Sequence, residues 1–219
     1  MASSAKALNK SRLIRRERLD KAEAKWTTLV KTTYIDPEGV ERIWESGERL
    51  TRPEGCDIDA VGVAAILQDP ANPHAEPRLL LQKQWRAPVD QTVIEVPAGL
   101  MDAGESPEDC AVRELKEETG YIGVVLKDKS FDVSPVMFND PGFCNTNLRM
   151  IHVTVDLSLP ENLTPQPRLE ESEFIETFSV PLTDLWHMCK KFEQEGYAID
   201  ARVGSLAEGI EFAKRWKLT

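Results

Sequence analysis

Gly99-Leu100-Met101-Asp102-Ala103-Gly104-Glu105-Ser106-Pro107-Glu108-Asp109-Cys110-Ala111-Val112-Arg113-Glu114-Leu115-Lys116-Glu117-Glu118-Thr119-Gly120 is the stretch on which the reading of this chain turns. Its second half predicts a helix from about Pro107 to Thr119. Ser106 is a natural N-cap, because its hydroxyl can accept a backbone N–H that the first turn leaves unpaired. Pro107 suits the first helical position, where no N–H is needed. Asp109 stands where a capping box places an acid. Gly120 is the expected stop, since glycine takes the left-handed conformation that ends a helix.

Within the helix, Glu114, Glu117 and Glu118 stand at i, i+3 and i+4, on one face and within reach of each other. Val112 and Leu115 are expected to face a core. Three like charges so close repel. A divalent cation reverses the sign of that energy, and carboxylate oxygens are hard ligands that suit Mg²⁺. Glu105, before the helix, can add a fourth carboxylate or hold the helix by hydrogen bonds. Arg113 can pair with Glu117 one turn on and orient it. Read alone, Glu114-Leu115-Lys116-Glu117-Glu118 is an ordinary solvated acidic face. The whole pattern says more: glycine, five residues, glutamate, seven residues, then R-E-L-x-E-E-x-G.

Outward from this stretch, Ala60 to Leu67 is an apolar run fit for a buried strand, and strands are expected at Arg78 to Trp85 and Val93 to Val96. Further strands are expected near Phe131 to Pro135, Arg149 to Leu157 and Phe174 to Val180. Two helices should close the chain, near Leu182 to Glu195 and Val203 to Lys217. This mixture predicts a mixed sheet with helices on its faces. Ahead of it, Trp26 to Ile35 is rich in β-branched and aromatic residues. Asp36-Pro37-Glu38-Gly39 is a turn signal, and Val40 to Trp44 returns. Thr51 to Gly55 looks like a linker. The expected division is 1–57, an arm and β-hairpin, and 58–219, a catalytic domain.

The formal net charge of -10 over 219 residues argues against nucleic acid as a partner, since phosphate repulsion would have to be overcome. The four cysteines, Cys56, Cys110, Cys144 and Cys189, form no C-x-x-C pair and read as reduced thiols of an intracellular protein. Cys110 and Cys189 are expected to be buried. His74, His152 and His187 lack ligand spacing, so no zinc site is expected. No apolar stretch approaches a membrane span. Lys6, Lys10, Arg12, Arg15, Arg16, Arg18 and Lys21 make the start basic, which can be read as a mitochondrial transit segment. Glu17 and Asp20 favour a solvated arm and a cytoplasmic protein, with a nuclear location left open. Arg15 to Lys25 has the composition of a helix.

The Gly99–Gly120 stretch resembles the Nudix box, which ends on an apolar residue where this chain has Tyr121. The resemblance implies an α/β/α sandwich and Mg²⁺-dependent (or Mn²⁺-dependent) hydrolysis of a nucleoside diphosphate linked to another group. Lys25-Trp26, Lys31 to Tyr34, Trp44-Glu45-Ser46, Ile94-Glu95, Pro97 to Leu100, Asp140-Pro141-Gly142 and Asp200 to Val203 are similar to segments of the eukaryotic ADP-ribose pyrophosphatase branch. Lys127 to Phe138 is longer than in relatives, so a family proline after the box matches either Pro135 or Pro141. Carried over by position, Glu114 and Glu118 match the principal metal ligands, Glu117 a secondary one, and the Ala98 carbonyl a further one. Trp26 and Trp44 match the aromatic pair that grips adenine. Arg49 and Arg86 match arginines near the base and diphosphate, and Glu95 falls among the substrate-binding positions. Glu173 matches the general base, with Glu170 and Glu171 close enough in sequence to compete. The resemblance implies a homodimer through the N-terminal unit, acting on ADP-ribose. Another nucleotide sugar, an oxidised nucleotide, or binding without cleavage are the rival readings.

The tryptophans allow one geometric expectation. If the turn centres on Pro37-Glu38 without a bulge, Ile35 pairs with Val40 and position 26 with position 49. Trp26 and Arg49 then share a face and Trp44 points to the other. One hairpin could not clamp a base between both rings, and a second chain would be needed. A β-bulge would restore the parity. Trp186 and Trp216, on the closing helices, are expected in core or dimer contacts.

Overall fold

A computed structural model describes residues 10–128 and 131–218. Residues 1–9, with Lys6, and two residues of the long 127–138 segment lie outside the described residues.

Two strands, β1 (Thr27–Ile35) and β2 (Glu41–Arg49), form a separate antiparallel sheet. The turn between them holds one residue more than the bulge-free reading allowed. Gly39 sits at φ +80, and the Asp36 carboxylate accepts from the amides of Glu38 (3.0 Å) and Val40 (2.8 Å). A glycine in this conformation after a type I turn shifts the register by one. Ile35 therefore pairs with Glu41, Thr27 with Arg49 and Thr32 with Trp44. The expected pairing of Ile35 with Val40 and of position 26 with 49 is corrected. Trp26, six residues before Thr32, now shares a face with Trp44. The two still stand roughly 20 Å apart along the ribbon, at about 3.3 Å per residue.

The main sheet is mixed. Its strands are β3 (Ala60–Gln68), β4 (Arg78–Arg86), β5 (Gln91–Glu95), β6 (Ala98–Leu100), β7 (Val124–Val125), β8 (Met137–Phe138), β9 (Asn147–Asp156), β10 (Ile175–Pro181) and β11 (Ala198–Ile199). The order runs β11-β5-β4-β3-β9-β7, with β10 on β4, β6 on β3 and β8 on β9. β3 with β9 and β11 with β5 are parallel; the other pairs are antiparallel. Helix α1 (Pro107–Thr119) covers one face through Cys110, Ala111 and Leu115, packed with Val61, Val63, Leu80 and Ile151. Val112 is only half-buried and lies outside this cluster. A short α2 (Pro160–Leu163) follows β9. Helices α3 (Leu185–Gln194) and α4 (Ala201–Trp216) cover the other face through Leu185, Phe192, Val203 and Ala207, against Leu79, Leu81 and Ile94. Burial on both faces explains the unbroken apolar runs of β3 and β4. This is the α/β/α sandwich that the sequence implied. Among the described residues no helix is long and apolar enough to cross a membrane.

Three further expectations are corrected. Arg15 to Lys25 is not helical; the arm is irregular with a turn at 21–23 and mostly exposed, meeting the body where Leu13 N–H donates to Asp90 Oδ1 (3.1 Å) and Arg16 to the Pro88 carbonyl (3.2 Å). Propensity alone does not nucleate a helix without a face to pack. Phe131 to Pro135 runs along β9, with Ser134 N–H donating to the Met150 carbonyl (2.9 Å) and His152 N–H to the Asp132 carbonyl (2.9 Å), but it forms only an isolated bridge, Val133 to Ile151, and not a strand. Of the core or dimer contacts expected of Trp186 and Trp216, the core placement is not seen, since both side chains are partly to well exposed.

The linker is locked by Arg52, which grips buried Asp59 with Nε (2.9 Å) and Nη2 (2.8 Å). Asn147 N–H also donates to Asp59 (3.0 Å). Burial pushes the Asp59 carboxyl up, but Arg52 and the Asn147 amide outweigh it and hold the carboxyl below its ordinary value. Its stabilising contribution is therefore present above the unfolded value and lost as pH falls through the folded one. Asp59→Ala should cost about 2 kcal/mol in urea melts near pH 7, with the difference from wild type shrinking below about pH 4. A cost that stays constant on acidification would show that the ion pair is not its source.

Candidate active site

The helix that carries the glutamates is framed as its sequence suggested. Ser106 Oγ accepts from Asp109 N–H (3.1 Å), and Gly120 is left-handed at φ 76 with its N–H on the Lys116 carbonyl. Tyr121 packs partly buried against the α1 core.

The three glutamates are graded from interior to solvent. Glu118 is 4% exposed, accepts from the Ala98 N–H at 3.0 Å, and meets the Gln82 amide at 3.5 Å. Ala98, expected to offer its carbonyl, is thus placed beside Glu118 with its N–H turned to that carboxylate. The Glu114 carboxyl lies directly over Gly99, where an added Cβ would meet its Cδ at 1.9 Å. Glu117 is the most open of the three.

Arg113 does more than pair with Glu117. It grips Glu105 with Nε (2.8 Å) and Nη2 (2.9 Å), and its Nη1 reaches Glu114 Oε1 (2.7 Å) and Glu117 Oε2 (3.2 Å). Of the two roles open to Glu105, the structure shows it holding the helix through Arg113. The guanidinium keeps the Glu105 carboxyl below its ordinary value, and the Arg113 pKa is raised in turn.

Burial pushes the Glu118 carboxyl up to about 8, helped by the charges of Glu114 and Glu173. Burial also raises Glu114, against the pull of Arg113 and with added push from Glu117 and Glu173. Glu173, in the 170–173 turn, thus adds its charge to both. Its Oε2 accepts from Glu170 N–H (2.9 Å), and Arg168 N–H ties the loop to the Glu117 carbonyl (2.7 Å). β10 enters at Ile175, opposite Gln84, so this loop arrives beside the Arg86 end of β4.

On β4, alternation places Gln82, Gln84 and Arg86 on the α1 side with Leu80. Arg86 Nε donates to buried Glu95 (2.9 Å). Burial raises the Glu95 carboxyl although Arg86 opposes it. Behind them Arg202 grips Asp200 through two bonds of 2.7 Å and adds its charge near Glu95. Gln82 was not singled out from the sequence, and Asp200 to Arg202 entered only as part of a matching segment without a role.

Trp44 Nε1 donates to the Gly142 carbonyl (3.1 Å), and Gly47 joins the same loop through Phe143 and Asn145. Trp26 and Arg49 are exposed on the hairpin, with the Arg49 charge felt at Asp59. Two surface hollows, of about 460 and 520 Å³, lie by the arm at Trp85 and by Trp186 and Trp216, away from the glutamates.

Among the described residues no three His, Cys, Asp or Glu side chains are gathered as a metal-binding group. The physical reason is visible: Arg113 draws Glu114 and Glu117 to itself, while Glu118 is turned inward to Ala98. The donor set nevertheless fits a hard dication. Buried carboxylates that raise one another's pKa are relieved by a nearby positive charge.

Residues 59–203 match the NUDIX domain. The chain belongs to the Nudix family. Among Nudix relatives, the ADP-ribose pyrophosphatase of Saccharomyces cerevisiae is 48% identical over 197 residues, covering 90% of this chain and 82% of that protein. The ADP-sugar pyrophosphatase of Mus musculus is 38% identical over 193 residues, covering 88% and 84%. These place the chain with the eukaryotic ADP-ribose pyrophosphatase branch of Nudix hydrolases. A crystal structure of an ADP compounds hydrolase superposes with a TM-score of 0.56 at 20% identity, over 93% of this chain and 91% of that one, which supports the Nudix fold.

Proposed function

We propose that this Nudix enzyme hydrolyses the diphosphate of ADP-ribose to AMP and ribose 5-phosphate, with Mg²⁺ or Mn²⁺, as a cytoplasmic homodimer. The observation that carries this reading is buried Glu118, set beside Glu114 and within the field of Glu173. The names of the two relatives supply the substrate class. Four free thiols accord with the cytoplasm.

Glu114 and Glu118 would hold the cation, with Glu117 and the Ala98 carbonyl as further ligands. When bound, the cation neutralises the diphosphate and helps to activate water. Glu173 takes the proton of the attacking water as general base. One P–O bond forms to the water oxygen, the bridging P–O bond breaks, and a proton goes to the leaving phosphate. Arg86, held by Glu95, offers a planar fork to phosphate oxygens; Glu95 acts on the ligand through Arg86. Arg113 orients Glu114 and Glu117.

The hairpin, within the proposed 1–57 unit, supplies Trp26, Trp44 and Arg49 for the adenine, and 58–219 supplies the chemistry. Because the two rings stand about 20 Å apart in one chain, and Trp44 is tied to Gly142, closing both on one base takes Trp26 from a second copy. Trp44→Ala should raise KM for ADP-ribose about tenfold, as loss of one base–aromatic stack does. Mixing Trp26→Ala with Trp44→Ala should recover affinity, since a mixed dimer contains one site with both rings. No recovery in a mixture that demonstrably exchanges subunits would sink the shared site.

The deciding experiment incubates the purified protein with ADP-ribose and Mg²⁺ in heavy-oxygen water and identifies the products by mass. AMP and ribose 5-phosphate are expected, and the label shows which phosphorus is attacked. Failure to cleave ADP-ribose alongside cleavage of another nucleoside diphosphate sugar or an oxidised nucleotide would move the reading to that substrate.

A further inference from the structure

Gln82 lies in β4 with no solvent exposure. Its Cα partners are Glu95 in β5 and Thr177 in β10, so a strand closes it in on either side. Its Nε2 faces Glu118 Oε1 at 3.5 Å, a long contact. Its Oε1 has no partner at all.

An amide oxygen left unpaired in the interior costs about 1–3 kcal/mol, and an apolar side chain would fill the place without that cost. Turning the amide over would leave the NH₂ unpaired, and with Glu118 ionised, as a cation ligand is, it would set the carbonyl against the carboxylate. A buried acceptor beside a carboxylate therefore calls for a donor from outside the chain, and water is the smallest that can reach it.

We propose that Gln82 is a positioning residue for the cation site: its amide N–H fixes the Glu118 carboxylate, and its unpaired carbonyl oxygen accepts a hydrogen bond from water hydrating the bound cation. The inference rests on Glu118 being a cation ligand. Outer-shell groups of this kind orient metal ligands, and losing one costs about 10–100-fold in affinity.

The test is Mn²⁺ binding followed by electron paramagnetic resonance, without substrate, on wild type, Gln82→Met, Gln82→Asn and Glu118→Gln. Methionine keeps the volume and removes both hydrogen-bonding groups. Gln82→Met should weaken Mn²⁺ binding about tenfold and raise the Mg²⁺ needed for half-maximal hydrolysis by a like factor. KM for ADP-ribose at saturating metal should not change. A merely structural glutamine would lower Tm and leave metal affinity alone. Gln82→Asn keeps the amide but draws it back by a methylene, and decides by the same measure if the methionine variant does not fold. Weakening of less than about threefold in the folded variant overturns the proposal. If wild type and Glu118→Gln bind Mn²⁺ equally, the cation-ligand reading falls, and this inference with it. Equal binding by wild type and the Gln82 variants, with loss in Glu118→Gln, overturns this inference alone.

Discussion

Glu118→Gln should lower kcat by more than about 100-fold, beyond what losing an outer-shell partner costs, and should make the metal-free protein more stable at pH 8. The two effects have one cause. Glu118 is buried beside Glu114 and Glu173, and its folded carboxyl is raised from 4.5 to about 8. A raised folded value means that its contribution to stability is present below about 4.5 and lost as pH rises through about 8. At pH 8 the metal-free wild type carries that penalty in full or in large part, and the neutral glutamine does not. Glutamine keeps an acceptor for the Ala98 N–H, so the packing is retained. Each kcal/mol recovered raises Tm by roughly 2–4 °C in a chain of this size. Mg²⁺ should then raise the Tm of wild type by linkage and leave the variant unmoved. Thermal melts at pH 5 and pH 8, with and without Mg²⁺, read all of this beside the turnover assay. Wild-type turnover in the variant would remove Glu118 from the chemistry. An inactive variant with no gain at pH 8 would show that the buried charge is compensated within the chain.

The features that the sequence made legible are those set by neighbours along the chain. Ser106, Pro107 and Gly120 frame α1 by local hydrogen bonds and backbone preference, and the i, i+3, i+4 spacing then fixes which glutamates share a face. The apolar runs of β3 and β4 announce burial on both faces in the same direct way. What escaped is set by distant partners. Asp36-Pro37-Glu38-Gly39 fits a turn with or without a bulge, and it is the Asp36 carboxylate, taking the amides of both Glu38 and Val40, that selects the bulge and shifts every pair of the hairpin. Strands β6, β7, β8 and β11 span two or three residues each and exist only because β3, β5 or β9 lies beside them. Arg15 to Lys25 has helical composition but no face to bury. Glu170, Glu171 and Glu173 compete in the sequence, because direction within a turn depends on where β10 meets β4. Gln82 offered a faint signal, a polar residue directly after the apolar run Leu79 to Leu81, whose meaning needed Glu118 brought across from α1.

Gly99→Ala should lower kcat about 100-fold while leaving the fold nearly as stable as before. Gly99 is held in β6 opposite Val61 of β3, so its backbone cannot move aside freely. A Cβ there would stand 1.9 Å from the Glu114 Cδ and Oε1. The yielding partner is the end of a flexible side chain, so the Glu114 carboxyl is displaced and the sheet is kept. That displacement breaks the 2.7 Å contact with Arg113 and moves a candidate ligand by more than an ångström, a misplacement that can cost about 100-fold. Gly104→Ala is the matched control. Gly104 has φ +78 and nothing within 4 Å of the added methyl, so alanine there meets only backbone strain, about 1–2 kcal/mol, and leaves the carboxylates untouched. The pair should therefore separate cleanly: Gly99→Ala loses turnover and keeps its Tm, whereas Gly104→Ala loses several degrees and keeps its turnover. Measured kcat for Gly99→Ala within a few-fold of wild type would mean that Glu114 has a second working rotamer. The close approach of this carboxyl to the β6 backbone would then not be what places it for catalysis.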